Sequence, residues 1–413
     1  MGYQQGLSGL AGASNALDVI GNNIANANTV GFKSSTAQFS DMYANSIATS
    51  VNTQIGIGTA LASVQQQFGQ GTINTTNSSL DVAINGNGFF QMSNNGTITY
   101  TRDGTFQRDK NGYIVNSQGL NLMGYAADKN GVINTAQTVP LQAPTTNIAP
   151  TATTKITGQF NLNSQDTVPT KTPFDATDTT TYNYSTSIQV YDSLGGSQAV
   201  NIYFVKSAAG TWEAYAGVQG GTTNDLGTIQ FDSSGAISGT TTGSPATPTA
   251  ALGKFQFTVP NTDGSATPQT LTLDLTGTTQ YGGKDGVNNL AQDGYASGTL
   301  TTFTIGTDGK LTGNYSNGQT AVLGQIALAN FNNPNGLVNI GGNQYAETAA
   351  SGVPQISVPG STNHGTLQGS ALENSNVDLT SQLVNLITAQ RNYQANAQTI
   401  KTQQTVDQTL INL

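Results

Sequence analysis

The two ends of the chain carry apolar residues at alternating spacings of three and four, whereas the long middle carries them at spacings of two. From Tyr3 to Asn28 the positions Leu7, Leu10, Ser14, Leu17, Gly21 and Ile24 follow the rhythm of a coiled-coil seam. Leu379, Leu383, Leu386, Gln390, Tyr393, Ala397, Ile400 and Gln404 repeat it near the other end. Thr380 to Leu413 contains neither Pro nor Gly, so a single helix of about 51 Å is expected there. Asp378 or Thr380 is placed to cap it.

Neither helix is expected to hold alone. Gly6, Gly9, Gly12 and Gly21 interrupt the first, each costing about 1 kcal/mol relative to Ala in a helix interior. Polar residues break both seams, and an isolated helix is marginal in water unless an apolar face packs on something. The ends therefore need each other, copies of themselves, or both.

The middle reads as short half-buried strands, expected at Val82–Ile84, Tyr113–Val115, Ile188–Val190, Val200–Phe204, Phe255–Val259 and Leu271–Leu275. Asn85-Gly86, Asn95-Gly96, Asn111-Gly112, Asn130-Gly131 and Asn317-Gly318 suit type I′ hairpins. The pattern predicts antiparallel β structure without βαβ units. The fold class is thus mainly β with terminal α-helices, in nested discontinuous domains. A helical coiled-coil domain is expected from 1–33 plus 373–413, and a loosely ordered connector arm at 34–70. An inner β domain is expected from 71–145 plus 286–372, with an outer β domain inserted at 146–285. The Thr/Ser/Pro tracts at 167–181 and 240–249 read as long surface loops.

Composition narrows the function. Charged residues make up 8% of the 413 positions, against about 25% in average proteins, so the surface is polar but nearly neutral. With no Cys and one His, His364, disulfides, thiolate nucleophiles and Cys- or His-built zinc sites are excluded. A net charge of −9 with scattered basic residues argues against nucleic acid. No apolar stretch approaches the ~20 residues of a membrane span, so no membrane insertion is expected. Met1-Gly2-Tyr3-Gln4-Gln5 lacks the basic and apolar regions of a secretory signal.

Catalytic and metal chemistry find no footing either. Asp109-Lys-Asn111-Gly112 and Asp128-Lys-Asn130-Gly131 resemble the start of a calcium loop but lack its later ligands, and hairpin turns account for them. Gly86-x-Gly88 lacks the third glycine and the helix of a dinucleotide loop. No G-x-S-x-G elbow exists to pair with His364. No enzyme activity, metal or cofactor is expected.

Specific strings then add to this reading. Ala16-Leu-Asp18 through Gly21-Asn22-Asn23-Ile24-Ala25-Asn26 to Thr29-Val-Gly31-Phe32-Lys33 resembles the N-terminal signature of the bacterial flagellar rod and hook axial proteins. Ser375-Asn376-Val377-Asp378-Leu379, followed by Ala389-Gln390-Arg391-Asn-Tyr393, is similar to the matching C-terminal signature. Leu80-Asp81-Val82-Ala83-Ile84 and Tyr100-Thr-Arg102-Asp103-Gly104 resemble the first β domain of that family. The length of the β middle, Tyr191-Asp192-Ser193-Leu194-Gly195 and Leu323-Gly324-Gln325-Ile326 resemble the hook branch rather than the rod.

That resemblance implies a structural subunit that polymerises with itself into a short curved tube around the export channel. The tube would act as a universal joint carrying motor torque to the filament. It also implies four partners: the distal rod protein, the hook cap protein, the hook-filament junction protein and the flagellar type III export apparatus. Export unfolded through that channel would place the protein in the extracellular part of the flagellum. An assembly seam is expected between Leu7, Leu10, Leu17 and Ile24 on one helix and Leu379, Leu383, Leu386, Tyr393, Ala397 and Ile400 on the other. A distal rod protein, or a secreted β-rich adhesin, is the alternative.

Overall fold

The computed structural model describes residues 2–42, 56–128, 130–144, 146–242, 247–248 and 251–411. Residues 43–55 of the expected connector, 243–246 and 249 of the second surface tract, Lys129, and the last two residues lie outside the described residues. The chain separates into two compact units, one of 1–145, 301–314 and 320–413, the other of 146–300 and 315–319.

The first unit holds both helices, α1 (Gly2–Ala25) and α2 (Leu379–Ile411). It also holds a β region in which early and late segments alternate. Val82–Asn85 pairs with Thr366–Gly369, and Ile73–Thr75 with Ala371–Glu373. Tyr100-Thr101 lies beside Gln344-Tyr345, and Gly124–Ala126 beside Gly324–Ile326. One core gathers Val82, Ile84, Phe90, Met92, Leu122, Ile326 and Leu328. A second, aromatic one gathers Phe89, Tyr100, Phe331 and Tyr345 in edge-to-face contacts, an arrangement favoured by the ring quadrupoles.

The second unit is built from two sheets over one core. Strands from Tyr184–Tyr191 through Ser197–Ala208, Thr211–Val218, Thr223–Phe231 and Ile237–Thr242 to Thr247-Pro248 form an antiparallel meander. The other sheet centres on Lys155–Asn163. Trp212, Phe204, Phe160, Phe255 and Leu273 are fully or almost fully buried between them.

Three expectations change here. Lys155–Asn163 runs parallel to both Gln269–Asp274 and Thr279–Tyr281, so the middle is not wholly antiparallel. A parallel pair needs a long crossover, and the meander supplies it. The strand Gly286–Gln292 pairs with Lys155–Asn163, which moves the second crossing between units from 285 to about 300. Finally, both residues of an Asn-Gly turn have positive φ only at Asn95-Gly96, as type I′ requires. At Gly86, Gly112, Gly131 and Gly318 the glycine alone takes that conformation.

The connector also has more structure than expected. Ser35–Met42 and Gly58–Gln66 form an antiparallel ladder with a bulge after Gln38. It packs on α1, where Gln5 Nε2 donates to Gly56 O at 2.7 Å and Thr59 N to Ser8 Oγ at 3.4 Å.

Candidate assembly surface and its anchor

Within the first unit α1 and α2 run antiparallel. Gly6 faces Ile400, Gly9 faces Asn396, and Asn23 Nδ2 reaches Gln382 Oε1 at 3.4 Å. A side-chain carbon on Gly9 would lie 2.6 Å from Asn396 Oδ1, and one on Gly6 2.9 Å from Ile400 Cγ1. The glycines that weaken α1 as an isolated helix are therefore what allows α2 to come close. Gly12 faces Phe39 and Thr59 of the hairpin. Reading Gly6, Gly9 and Gly12 only as helix breakers missed this, although their spacing of three places them along one side of a helix.

Small residues thus set the close approach inside one chain at Gly6 and Gly9, and Ala13 and Ala389 are buried on the same two helices. The expected seam residues are distributed differently. Leu10, Leu17, Ile24, Leu386, Ala397 and Ile400 are half-buried. Leu7, Leu379, Leu383 and Tyr393 face solvent, joined by Val384 at 59% exposure and Ile387 at 50%. Continuing the register of Gly6 opposite Ile400 places Gly2 near position 404, so Thr405–Ile411 runs past the described start of α1. Val406 and Ile411 on that overhang are exposed, Ile411 by 82%.

Most of the motif residues serve a different purpose, anchoring the helices to the β region. Asn23 Oδ1 accepts from Ser35 N and its Nδ2 donates to Ser35 O, both at 2.8 Å, so α1 is fastened to the hairpin. Asn376 accepts from Ser34 N at 2.8 Å and donates to Gln67 O at 2.7 Å, fastening the same hairpin to the chain just before α2. Asp378 caps α2 through Thr380 N at 2.9 Å and Ser381 N at 3.1 Å. Val377, half-buried, lies between these two. Asn26 bonds back to Asn22 O and Oδ1 and receives the Thr29 hydroxyl. Gly31 has φ +69°, and a side chain there would meet the Arg102 and Asp103 backbone. Phe32 is buried beside it. Ala25, Gln390 and Arg391 are exposed on their helices.

At the centre of the anchor lies a buried ionic cluster. Lys33 Nζ donates to Glu373 Oε1 at 2.6 Å and to Gly69 O at 2.8 Å, and both side chains of this ion pair are inaccessible to solvent. Gly71 N donates to the same carboxylate at 2.8 Å. Arg102 Nη1 lies 3.3 Å from Glu373 Oε2, Nη2 donates to Gly86 O at 2.9 Å, and the guanidinium sits 5.3 Å from the centre of the Phe89 ring. Burial, and then the neighbouring Arg102 charge, push the Lys33 ammonium below the ordinary lysine range, while Glu373 opposes the shift. Burial lowers Arg102 as well. One carboxylate thus holds two cations from residues 33 and 102, and Glu373, outside every motif quoted above, is the hub. Its one available signal was a charged residue beside strand-forming positions in a chain with few charges.

His364 lies in a turn, with Nε2 2.9 Å from Gln355 O and Nδ1 3.2 Å from Ser361 Oγ. Among the described residues no group of three or more acidic, His or Cys side chains is placed to hold a metal, and no helix is long and apolar enough to cross a membrane.

Four family models match successive stretches of the chain. They are the flagella basal body rod protein at 4–33, the flagellar hook protein FlgE/F/G D1 domain at 83–157, the flagellar basal body protein FlaE D2 domain at 161–295, and the flagellar basal body rod FlgEFG protein C-terminal region at 368–413. The flagellar hook protein FlgE of Salmonella typhimurium strain LT2 is 42% identical over 424 aligned residues, covering 100% of both chains. FlgE of Escherichia coli K12 is 42% identical over 423, again with 100% of each covered. FlgE of Treponema pallidum is 33% identical over 456, covering 99% of this chain and 98% of that one. Among solved structures, the Helicobacter pylori flagellar hook protein FlgE2 matches with a TM-score of 0.50 at 16% identity, over 73% of this chain and 100% of that one, a likeness of fold.

Proposed function

The chain belongs to the flagellar hook protein family, structural subunits of the bacterial flagellar hook, and from that premise we propose that its terminal helices line the hook's channel and that its β regions form the sliding exterior of a universal joint. The observation that carries this reading is the apolar row left open on the paired helices, Leu7, Leu379, Leu383, Val384, Ile387 and Tyr393, continued by Val406 and Ile411 on the overhang. A helix that exposes such a row in one molecule gains stability when other copies cover it. The helices resist torsion through packing, while outer contacts exchange as each subunit passes from the inside to the outside of the bend. Faces rich in Thr, Asn and Gln suit the second task, because hydrogen bonds and water bridges rearrange at small cost. Scarce charge suits a channel carrying unfolded chains, since fixed charges would hold segments of opposite sign.

The same reading assigns the partners. The subunit leaves unfolded through the flagellar type III export apparatus, adds beneath the hook cap protein onto the distal rod protein, and is followed by the hook-filament junction protein. The absence of cysteine supports export to an oxidising exterior. Electron micrographs of polymer grown from the purified full-length chain test the joint: short curved tubes with a central channel are expected. Straight tubes, or tubes without a channel, under the same conditions would contradict the joint reading.

A further inference from the structure

The helical pair leaves a charge of opposite sign on the outward side of each helix. Asp18 is the one charged residue of α1, and it is exposed on the same side as Leu7, Ala11, Gly21 and Ala25. The other side carries Gly6 and Gly9, which meet α2, and Gly12 and Asn23, which meet the hairpin. On α2, Arg391 is exposed on the same side as Val384 and Ile387, away from Asn396 and Ile400. The two charges therefore lie on opposite outer faces of one chain's helical pair. Among the described residues neither forms an ion pair.

A second, independent feature of α1 points outside the chain. At Gly6, Gly9 and Gly12 a neighbour stands where a side-chain carbon would go, but at Gly21 that space is empty out to 4 Å. Gly21 keeps helical backbone, where glycine is the costliest residue other than proline. Among the described residues nothing requires its missing side chain. A close approach by another molecule would, as α2 does at Gly9.

A second copy of the chain supplies what both sides lack. Copies that all point one way along a tube keep the antiparallel relation of α1 and α2 between chains as well as within them. With Arg391 opposite Asp18, that relation sets Ile387, 50% exposed, beside Gly21 and Asn22, and Val384 beside Ala25. The register that pairs the charges is thus the one that brings a large side chain to the missing one. We propose that the outward side of α2 in one copy docks on the outward side of α1 in the next, with Arg391 paired to Asp18 and Ile387 seated at Gly21. The inference rests on the reading that these helices assemble with other copies, and it specifies which faces meet and in what register. Arginine suits the task, since its planar fork can grip a carboxylate through two parallel hydrogen bonds. Because the two docking sides are different surfaces of one chain, the contact runs head to tail. Such a contact continues into a ring or an open helical array instead of closing a two-fold dimer.

Sedimentation of the full-length chain over a range of concentrations, with circular dichroism of the monomer, tests the contact. Asp18→Arg and Arg391→Asp each bring like charges together, and each should raise the concentration needed for polymer by at least about tenfold. The monomer's helix signal should not change, because both positions are exposed. Both substitutions in one chain restore opposite charges and should return polymerisation to within about threefold of the parent. Gly21→Leu should raise the monomer's helix signal, since leucine favours helix over glycine, and yet block polymer. The proposal is overturned if either reversal polymerises like the parent, if the double exchange does no better than the single ones, or if Gly21→Leu assembles normally. Those results leave the tube reading standing as long as Val384→Ser with Ile387→Ser abolishes polymer. Should that pair assemble normally too, the reading on which the contact rests fails with it.

Discussion

The helical pair of the first unit and the β core of the second are held by opposite means. In the second unit two sheets close over Trp212, Phe204, Phe160 and Leu273, and the large apolar side chains point inward. In the helical pair the fully buried apolar positions are small, Ala13 and Ala389 beside Gly6, while Leu7, Leu379, Leu383 and Tyr393 are exposed. The β core satisfies itself within one chain. In the reading proposed above, the helices are only half-finished by each other, and other copies cover the rest. A polymer-forming subunit built this way can complete its β region by itself and leave assembly energy in its ends.

Four predictions probe that contrast, beginning with the largest effect. Glu373→Gln leaves two cations buried without their counter-charge and should cost the first unit about 3–5 kcal/mol, while calorimetry shows the second unit's transition in place. The loss should depend on pH in a set direction. Lys33 already sits below the ordinary lysine range, and without Glu373 it falls further, so the unfolded chain binds more protons and stability recovers as pH rises toward the ordinary lysine value. A loss below about 1 kcal/mol would mean that the hub does not anchor the helices.

A smaller effect belongs to the second unit alone. Asp274 is reached by Lys155 at 3.0 Å and by Lys254 at 3.7 Å. Burial works against ionisation, but the hydrogen bonds from Thr276 and Lys155 together outweigh it and bring the carboxyl down to about 2. A depressed carboxylate stabilises above its unfolded pKa and loses that contribution as pH falls from about 4 to about 2. Both lysines are half exposed, so solvent screening limits the effect to about 1 kcal/mol. Acid unfolding of Asp274→Asn should lack this part of the slope, with the first unit unchanged.

Smallest in the monomer is Val384→Ser with Ile387→Ser. Both sites are exposed, so stability should move by no more than about 0.5 kcal/mol, yet polymer yield in sedimentation should collapse. Unchanged polymerisation would detach the apolar row from assembly.

Much of this contrast could be read from periodicity. The three-four spacing located both helices, Asp378 located a cap, and the spacing of two located strands such as Phe255–Val259. What escaped was whatever depends on distant partners. A strand looks alike in sequence whether its neighbour is parallel or antiparallel, so Lys155–Asn163 gave no sign of its parallel neighbours, and Gly286–Gln292 gave none of its membership in the second unit. The hairpin of Ser35–Met42 and Gly58–Gln66 was hidden because its faces lack clean alternation, with Phe39, Met42, Leu61 and Val64 all exposed. The leucines of the expected seam were visible, but spacing alone does not say which face meets the chain's own partner. That was decided by Gly6 and Gly9, whose missing side chains mark the close approach. Asn23 and Asn376 stood out as motif residues, but their role as fasteners of the hairpin needed the fold.

Hydrogen exchange, followed residue by residue in the dilute monomer and in the assembled polymer, tests the central claim most directly. The amides of α1 and α2 should exchange orders of magnitude more slowly once copies cover the outward row, while those of the second unit's core remain equally protected in both states. Helices as protected in the monomer as Trp212 and its neighbours would contradict the account, because nothing would then be left for assembly to complete.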